Sequence, residues 1–304
     1  MVATLSCQAE ALQRFEFEKM GMGTLFRISM VAPDLATAER AADRAFARMD
    51  SLEKTLSDWD PASEVRGLPQ EGGRTRVSDD LWEVLALSIQ VARATEGAFD
   101  PTVGPAVRLW RRARRQGELP TPVDLEAALK RMGWENLEVG DSPWIALKVS
   151  GMRLDLGGVG KGFALDAMLE TLAEEGIEAA LVDGGGDLAA SGPPPGKKGW
   201  RVRVDPPGGE GEGRRILLAH RAVATSGTRF RSFEASGRNW AHLLDPRTGM
   251  ALDSEIQATV VASSGALADA MASAACILGP EGWETIPPRG DVEVSWNLPK
   301  GVTE

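Results

Sequence analysis

The chain has 304 residues, 43% hydrophobic and 26% charged, the balance of a globular protein long enough for one large domain or two closely packed ones. A net charge of -10 argues against a nucleic-acid binder that works through a general basic surface, and no apolar run reaches the length of a membrane span. Two cysteines, Cys7 and Cys276, exclude a dense disulfide framework, and two histidines, His220 and His242, leave no material for a His-rich zinc centre.

Residues 1–14 read as an N-terminal tail. Its first six, MVATLS, have no basic region and no full hydrophobic segment, so they form no intact signal peptide. Cys7 is then either the lipidation cysteine of an envelope protein with a truncated leader, the one route to membrane attachment, or a plain exposed cysteine. Residues 15–304 read as a single unit, with no repeats and no clear linker. Phe15–Glu18 and Leu25–Val31 are expected strands around a Met-Gly turn. Apolar positions from Leu35 to Leu56 recur at helical spacing, with Asp34 as a cap. Asp79–Glu96 is a second helix, ended by Gly97. Arg108, Arg111, Arg112, Arg114 and Arg115 follow, and in an acidic chain they read as a solvated helix face. Leu125–Met132 is a short helix, and Ile145–Val149 with Met152–Leu156 a hairpin pair. A glycine loop at 157–162 leads into a helix from Phe163 to Glu175. Further strands are expected at Ala179–Val182, Trp200–Asp205, Ile216–Ala219, Ala222–Ala224, Trp240–Leu244, Ile256–Ala262 and Asp291–Trp296.

The most informative stretch is Ile256–Pro280, 25 residues with a single charge, Asp269. Ser273 lies four positions on, hence on the same helix face. An isolated buried carboxylate is costly, so Asp269 either takes a cationic partner from elsewhere in the chain or, with the Ser273 hydroxyl, offers hard oxygens to Mg²⁺. DLGGVGKGFALD at 155–166 combines close-approach glycines, a helix N-terminus and Lys161, which suits a phosphate or pyrophosphate. It is not a Walker A loop, because Gly162 follows Lys161. DGGGDLA at 183–189 mimics a dinucleotide fingerprint, but the SGPPPG that follows leaves no room for the required helix. Asp183 and Asp187 there are either near a ligand or held in Asx turns. ATSG at 224–227 and WAHLLDPRTG at 240–249 add hydroxyls, His242, Asp245 and Arg247.

Taken together, these segments resemble the ApbE family of flavin transferases. MGMGTLFRIS, LSDWDPASEV, GAFDPTVGPAVRLW, DLGGVGKGFALD, LVDGGGDL, ATSG, HLLDPRTG and ADAMASA match family motifs in the family's order over most of the chain. The resemblance implies an α+β fold in one compact unit, with mixed or antiparallel sheets and peripheral helices. It implies Mg²⁺-dependent transfer of FMN from FAD to a Thr or Ser hydroxyl of an acceptor flavoprotein, with AMP released. Hydrolysis of FAD to FMN and AMP, or FAD binding without catalysis, are the alternatives. It places Asp269, Ser273 and the backbone oxygens of Gly160 and Ala272 at the metal. Met22, Trp59, Ala98, Phe99, Asp100, Gly157, Phe163 and Leu243 would line the FAD site, with Lys161, His242 and Asp245 at the reacting phosphate. The implied location is the periplasmic side of a bacterial cell envelope. The chain departs from the family pattern at Ser273 (usually Thr), Gly160 (usually Ala), and Trp59, Phe163 and Trp240 (usually Tyr).

Overall fold

Alternation at period two builds the opening hairpin, Gln13–Gly21 (β1) and Thr24–Ala32 (β2). In β2 Phe26, Ile28, Met30 and Ala32 are completely buried, so one face of the hairpin carries the core. The coordinates are a computed structural model, and the residues described are 12–69, 73–204, 213–228, 232–288 and 290–297. Cys7 and most of the acidic glycine-rich loop at 208–213 lie outside them.

Leu35–Leu56 (α1) follows, capped by the Asp34 carboxylate, which accepts from the Thr37 amide at 2.7 Å. A short turn of helix, Glu64–Gly67 (α2), and a strand, Gly73–Arg76 (β3), precede Asp79–Ala94 (α3), whose cap is Ser78. The arginine-rich segment is Gly104–Gln116 (α4), with Pro105 in its first turn and Gly117 as a left-handed end. Then come Pro122–Leu129 (α5), Leu137–Val139 (β4) and Trp144–Leu147 (β5). Gly160–Glu174 (α6), Ala180–Gly184 (β6), Asp187–Ala190 (β7), Trp200–Val204 (β8), Arg214–Leu218 (β9) and Arg221–Gly227 (β10) follow. Ser232–Ala235 (β11), Arg238–Ala241 (β12), Leu244–Asp245 (β13), Met250–Ala251 (β14) and Gln257–Ala262 (β15) lead to Gly265–Thr285 (α7) and Glu293–Asn297 (β16).

Seven strands form the central sheet in the order β1-β2-β6-β7-β10-β15-β16, antiparallel at every described pairing. Helix α6 contacts both α1 and α7, all three contact this sheet, and their apolar residues form the main core with it. The β8–β9 ribbon packs Trp200, Val202 and Leu218 against Val31, Leu188 and Val223 of the sheet, forming a separate apolar cluster. The fold is therefore α+β in one compact unit, as expected, with peripheral helices.

The structure departs from the sequence expectation at several places. Ile145–Val149 and Met152–Leu156 do not pair. β5 lies between β3 and β4, and Arg153 meets Val103 in an isolated parallel bridge. Met152, Leu154 and Leu156 alternate because they are buried in the main core, and burial on one side produces period two without a strand partner. The helix expected from Phe163 begins at Gly160, where the Gly160 and Phe163 amides already donate to Leu156 and Val159 carbonyls. DGGGD, expected as a glycine-rich loop and not a dinucleotide fingerprint, is a hairpin turn in which Gly185 and Gly186 have positive φ and join β6 to β7. Trp240–Leu244 is not one strand either, since β12 ends at Ala241 and His242 stands just beyond it. The apolar helix kinks at Gly279 before Pro280.

Candidate active site

Asp269 and Ser273 project from one face of α7 and are 4% and 7% exposed. The cationic partner that the sequence left open is Lys161, from the first turn of α6. Its Nζ bonds the Asp187 carboxylate and stands 3.6 Å from Asp269 Oδ2. That same oxygen accepts the Gly162 amide at 3.1 Å, so Asp269 sits at the N-terminal end of α6. Asp187, at the start of β7, also accepts the Thr225 amide at 3.0 Å. Burial acts against the charge of Lys161, but Asp269 and Asp187 outweigh it and raise its pKa, holding an ammonium between two carboxylates. Burial, with Asp187 adding to it, raises Asp269 above the usual carboxylate range, and Lys161 opposes the shift.

Two pairs of hydroxyls join the cluster. Ser273 Oγ lies 3.2 Å from Ser226 Oγ of β10, and Thr225 Oγ1 lies 2.9 Å from Thr259 Oγ1 of β15. The glycine bend closes on them: a Cβ at Gly158 would stand 3.0 Å from Ser273 Oγ and 3.4 Å from Phe99. A Cβ at Gly160 would reach Met22 Cε at 3.8 Å. A carboxylate, two hydroxyls and the bend's backbone carbonyls are hard oxygen donors in a space cleared by glycine, and they fit Mg²⁺. Among the described residues no group of three or more His, Cys, Asp or Glu side chains is placed to hold a metal, so the fit rests on this mixed set. Ala272, buried on the same turn of α7, offers only its backbone.

A second cluster adjoins the bend. Arg111 of α4 bonds the carboxylates of Asp58 and Asp155, the latter at 3.2 Å, and its guanidinium lies 3.9 Å from the centre of the Trp59 ring. Asp155 in turn accepts the Gly157 amide at 3.0 Å. Burial pushes Asp155 up to about 6, with Asp58 adding to the shift and Arg111 opposing it. Trp59 itself is 73% exposed.

The structure thus brings Met22, Phe99, Gly157, Gly160, Lys161, Asp269 and Ser273 around one bend, with Trp59 linked to it through Arg111. Ala98 is buried beside Phe99, and Phe163 and Leu243 are half-buried against the main core. Asp100 is buried and raised by desolvation; it accepts from Thr102 Oγ1 and the amides of Thr102 and Trp134, which holds its own loop. Both oxygens of Asp245 receive Arg247, within the Asp-Pro-Arg-Thr-Gly turn. His242 is exposed on the loop between β12 and β13. A recess of about 400 Å³ lined by Ile89, Trp134 and Lys148 shares no residue with the cluster, so cavity size does not locate the site. In the sequence Asp187 is one of two equivalent aspartates of DGGGD and Ser226 one hydroxyl of ATSG, and nothing local selects either. Arg111 does not belong to the solvated helix face expected from the sequence: its side chain is 28% exposed and is held by Asp58 and Asp155, 53 and 44 residues away along the chain, a separation no local pattern reveals.

Residues 22–296 match the sequence pattern of the ApbE family. A Klebsiella pneumoniae protein named FAD:protein FMN transferase is 30% identical over 271 residues, 86% of this chain and 77% of that one. A Treponema pallidum protein of the same name is 29% identical over 297 residues, 91% and 82% of the two chains. The solved structure of apo Pseudomonas stutzeri flavinyl transferase ApbE superposes with a TM-score of 0.81 at 26% identity, over 94% of this chain and 95% of that one.

Proposed function

The chain belongs to the ApbE family, and from that premise we propose that it is an enzyme that transfers FMN from FAD to a Thr or Ser hydroxyl of an acceptor flavoprotein, releasing AMP, in a Mg²⁺-dependent reaction. The observation that carries this reading is the half-buried Lys161, held by Asp187 and Asp269 beside the hydroxyls of Ser273 and Ser226 and the glycine bend. Asp269, Ser273 and the Gly160 carbonyl would hold Mg²⁺, with Ser226 close enough to share the task. A divalent cation held by these residues would supply charge neutralisation at the diphosphate and at the departing AMP phosphate.

The chain's own residues do the rest. The N-terminal end of α6 adds its partial positive charge, and Lys161 adds a full positive charge that its carboxylate neighbours keep protonated. The acceptor hydroxyl attacks the FMN-side phosphorus, the P–O bond to the AMP phosphate breaks, and the hydroxyl proton leaves to a base. His242, an exposed imidazole, is the proposed base. Trp59, Phe99 and Met22 supply the apolar surfaces on which FAD is oriented.

The test is incubation of the protein with Mg²⁺ and FAD, with and without a co-expressed acceptor, read by mass spectrometry. An FMN-sized mass on the acceptor and stoichiometric AMP are expected. Asp269→Ala is expected to lose transfer by at least about a hundredfold while remaining folded. AMP without covalent flavin would replace transfer by hydrolysis. FAD that binds and stays intact would remove catalysis altogether, and full activity in folded Asp269→Ala would remove the metal assignment.

A further inference from the structure

The flavin-transfer reading assigns Trp59 but gives no work to the arginine beneath it. Trp59 stands on a short loop after α1, tied internally by the Asp60 amide to Ser57 Oγ at 3.3 Å and the Ala62 amide to Asp60 at 2.9 Å. Those bonds shape the loop but do not fix its angle to the rest of the molecule. An indole that is 73% exposed has little packing to hold it. What holds it is Arg111, whose guanidinium covers one ring face at 3.9 Å and leaves the rest to solvent.

The same guanidinium bonds Asp58, the neighbour of Trp59, and Asp155, whose other oxygen takes the Gly157 amide. Arg111 therefore joins three elements: the Trp59 loop, helix α4 and the glycine bend. The planar fork is needed for this, since a lysine would offer one point charge and no stacking plane. Asp58 and Asp155 both face this group, and the guanidinium is what lets two carboxylates share the space.

We propose that Arg111 is a positioning residue: by bridging Asp58 and Asp155 it holds the Trp59 ring at a set angle to the glycine bend, one face covered and the other open, as the platform on which an aromatic ring of the dinucleotide substrate stacks. The proposal rests on the flavin-transfer reading. It makes the platform and the diphosphate site one rigid piece, so that ring and diphosphate bind together.

The experiment compares the full-length protein with Arg111→Met, which keeps the stem and loses the charge, and Arg111→Lys. For each, Kd for FAD is measured by flavin fluorescence, KM and kcat with Mg²⁺ and acceptor, and Tm. Arg111→Met is expected to raise Kd and KM for FAD about tenfold with kcat within about twofold, and Arg111→Lys to restore only part of the loss. Because Arg111 acts through the indole, Trp59→Ala and Trp59→Ala/Arg111→Met should have the same Kd. Asp58→Asn, which removes one bridge without touching the arginine, should raise Kd in the same direction and serves if Arg111→Met does not fold. A lowered Tm with unchanged Kd and KM, or additive effects of the Trp59 and Arg111 substitutions, would overturn the proposal while leaving flavin transfer in place. A wild-type protein that does not bind FAD would overturn the flavin reading itself.

Discussion

Lys161 decides the charge state of the site. It is the cation beside two buried carboxylates, and burial alone would disfavour all three charges. Lys161→Met removes the charge and keeps most of the stem. Asp269, already raised above 3.8 by burial, then loses the group that opposed the shift. A carboxylate whose folded pKa lies above its unfolded one stabilises fully below the unfolded value. That stability is lost as pH rises through the folded value. Lys161→Met is thus expected to lose stability as pH rises from about 4 to beyond neutrality, by about 3 kcal/mol more than the wild type over the same range. Thermal denaturation across that range checks it, and parallel pH profiles for the two proteins would refute it. Asp269 and Ser273 were legible in the sequence, because a lone charge in an apolar helix and a hydroxyl four positions later need no third dimension to be seen together. The partner of Asp269 was not, since Lys161 lies 108 residues upstream of it in the numbering.

The elements that carry these side chains meet at two glycines. A Cβ on Gly162 would lie 2.1 Å from the Gly265 carbonyl oxygen, and one on Gly265 would lie 2.5 Å from the Gly162 oxygen. Helices α6 and α7 therefore start in backbone contact, which is what allows the Gly162 amide to reach Asp269. Asp166 fastens the crossing from the other side, accepting the Gly265 and Ala266 amides at 2.6 and 2.9 Å. Alanine is the better helix former by about 1 kcal/mol, yet the clash is with backbone, which cannot swing away. Gly162→Ala is expected to destabilise by about 1–3 kcal/mol net and to weaken Mg²⁺-dependent turnover. Urea unfolding together with kinetics tests this, and a variant as stable and active as the wild type would show that the helices have room to part. The sequence marked the glycine bend as a ligand-approach feature. That the glycines also serve helix packing appears only when α7 is laid across α6.

At the scale of the whole molecule, the antiparallel sheet gathers what the chain scatters. β7 delivers Asp187, β10 delivers Ser226, and the two helices on the sheet deliver Lys161, Asp269 and Ser273. A ligand that binds only this assembled arrangement stabilises the whole domain. FAD with Mg²⁺ at a hundred times Kd should add about 2.7 kcal/mol, a rise in Tm of about 5 °C for a chain of this size. Asp269→Ala should abolish the Mg²⁺-dependent part of that rise. Scanning calorimetry with FAD and Mg²⁺ separately and together reads it, and a shift that survives the substitution would remove Asp269 from the ligand site.

The sequence by itself determined the kinds of groups available and most of the elements that bear them. Helical spacing, caps, glycine turns and an ordered series of motifs are local, and the physics behind them acts within a few residues. It misjudged Met152–Leu156 because alternation reports burial and not pairing. Only the tertiary structure decided which carboxylate neutralises Lys161, that Ser226 joins Ser273, that Asp245 is engaged by Arg247, and that Arg111 lies under Trp59. Except for the Asp245–Arg247 pair, these are contacts between residues far apart in sequence, created by strand order and helix crossing, and the energies that select them exist only once water has left the space between the elements.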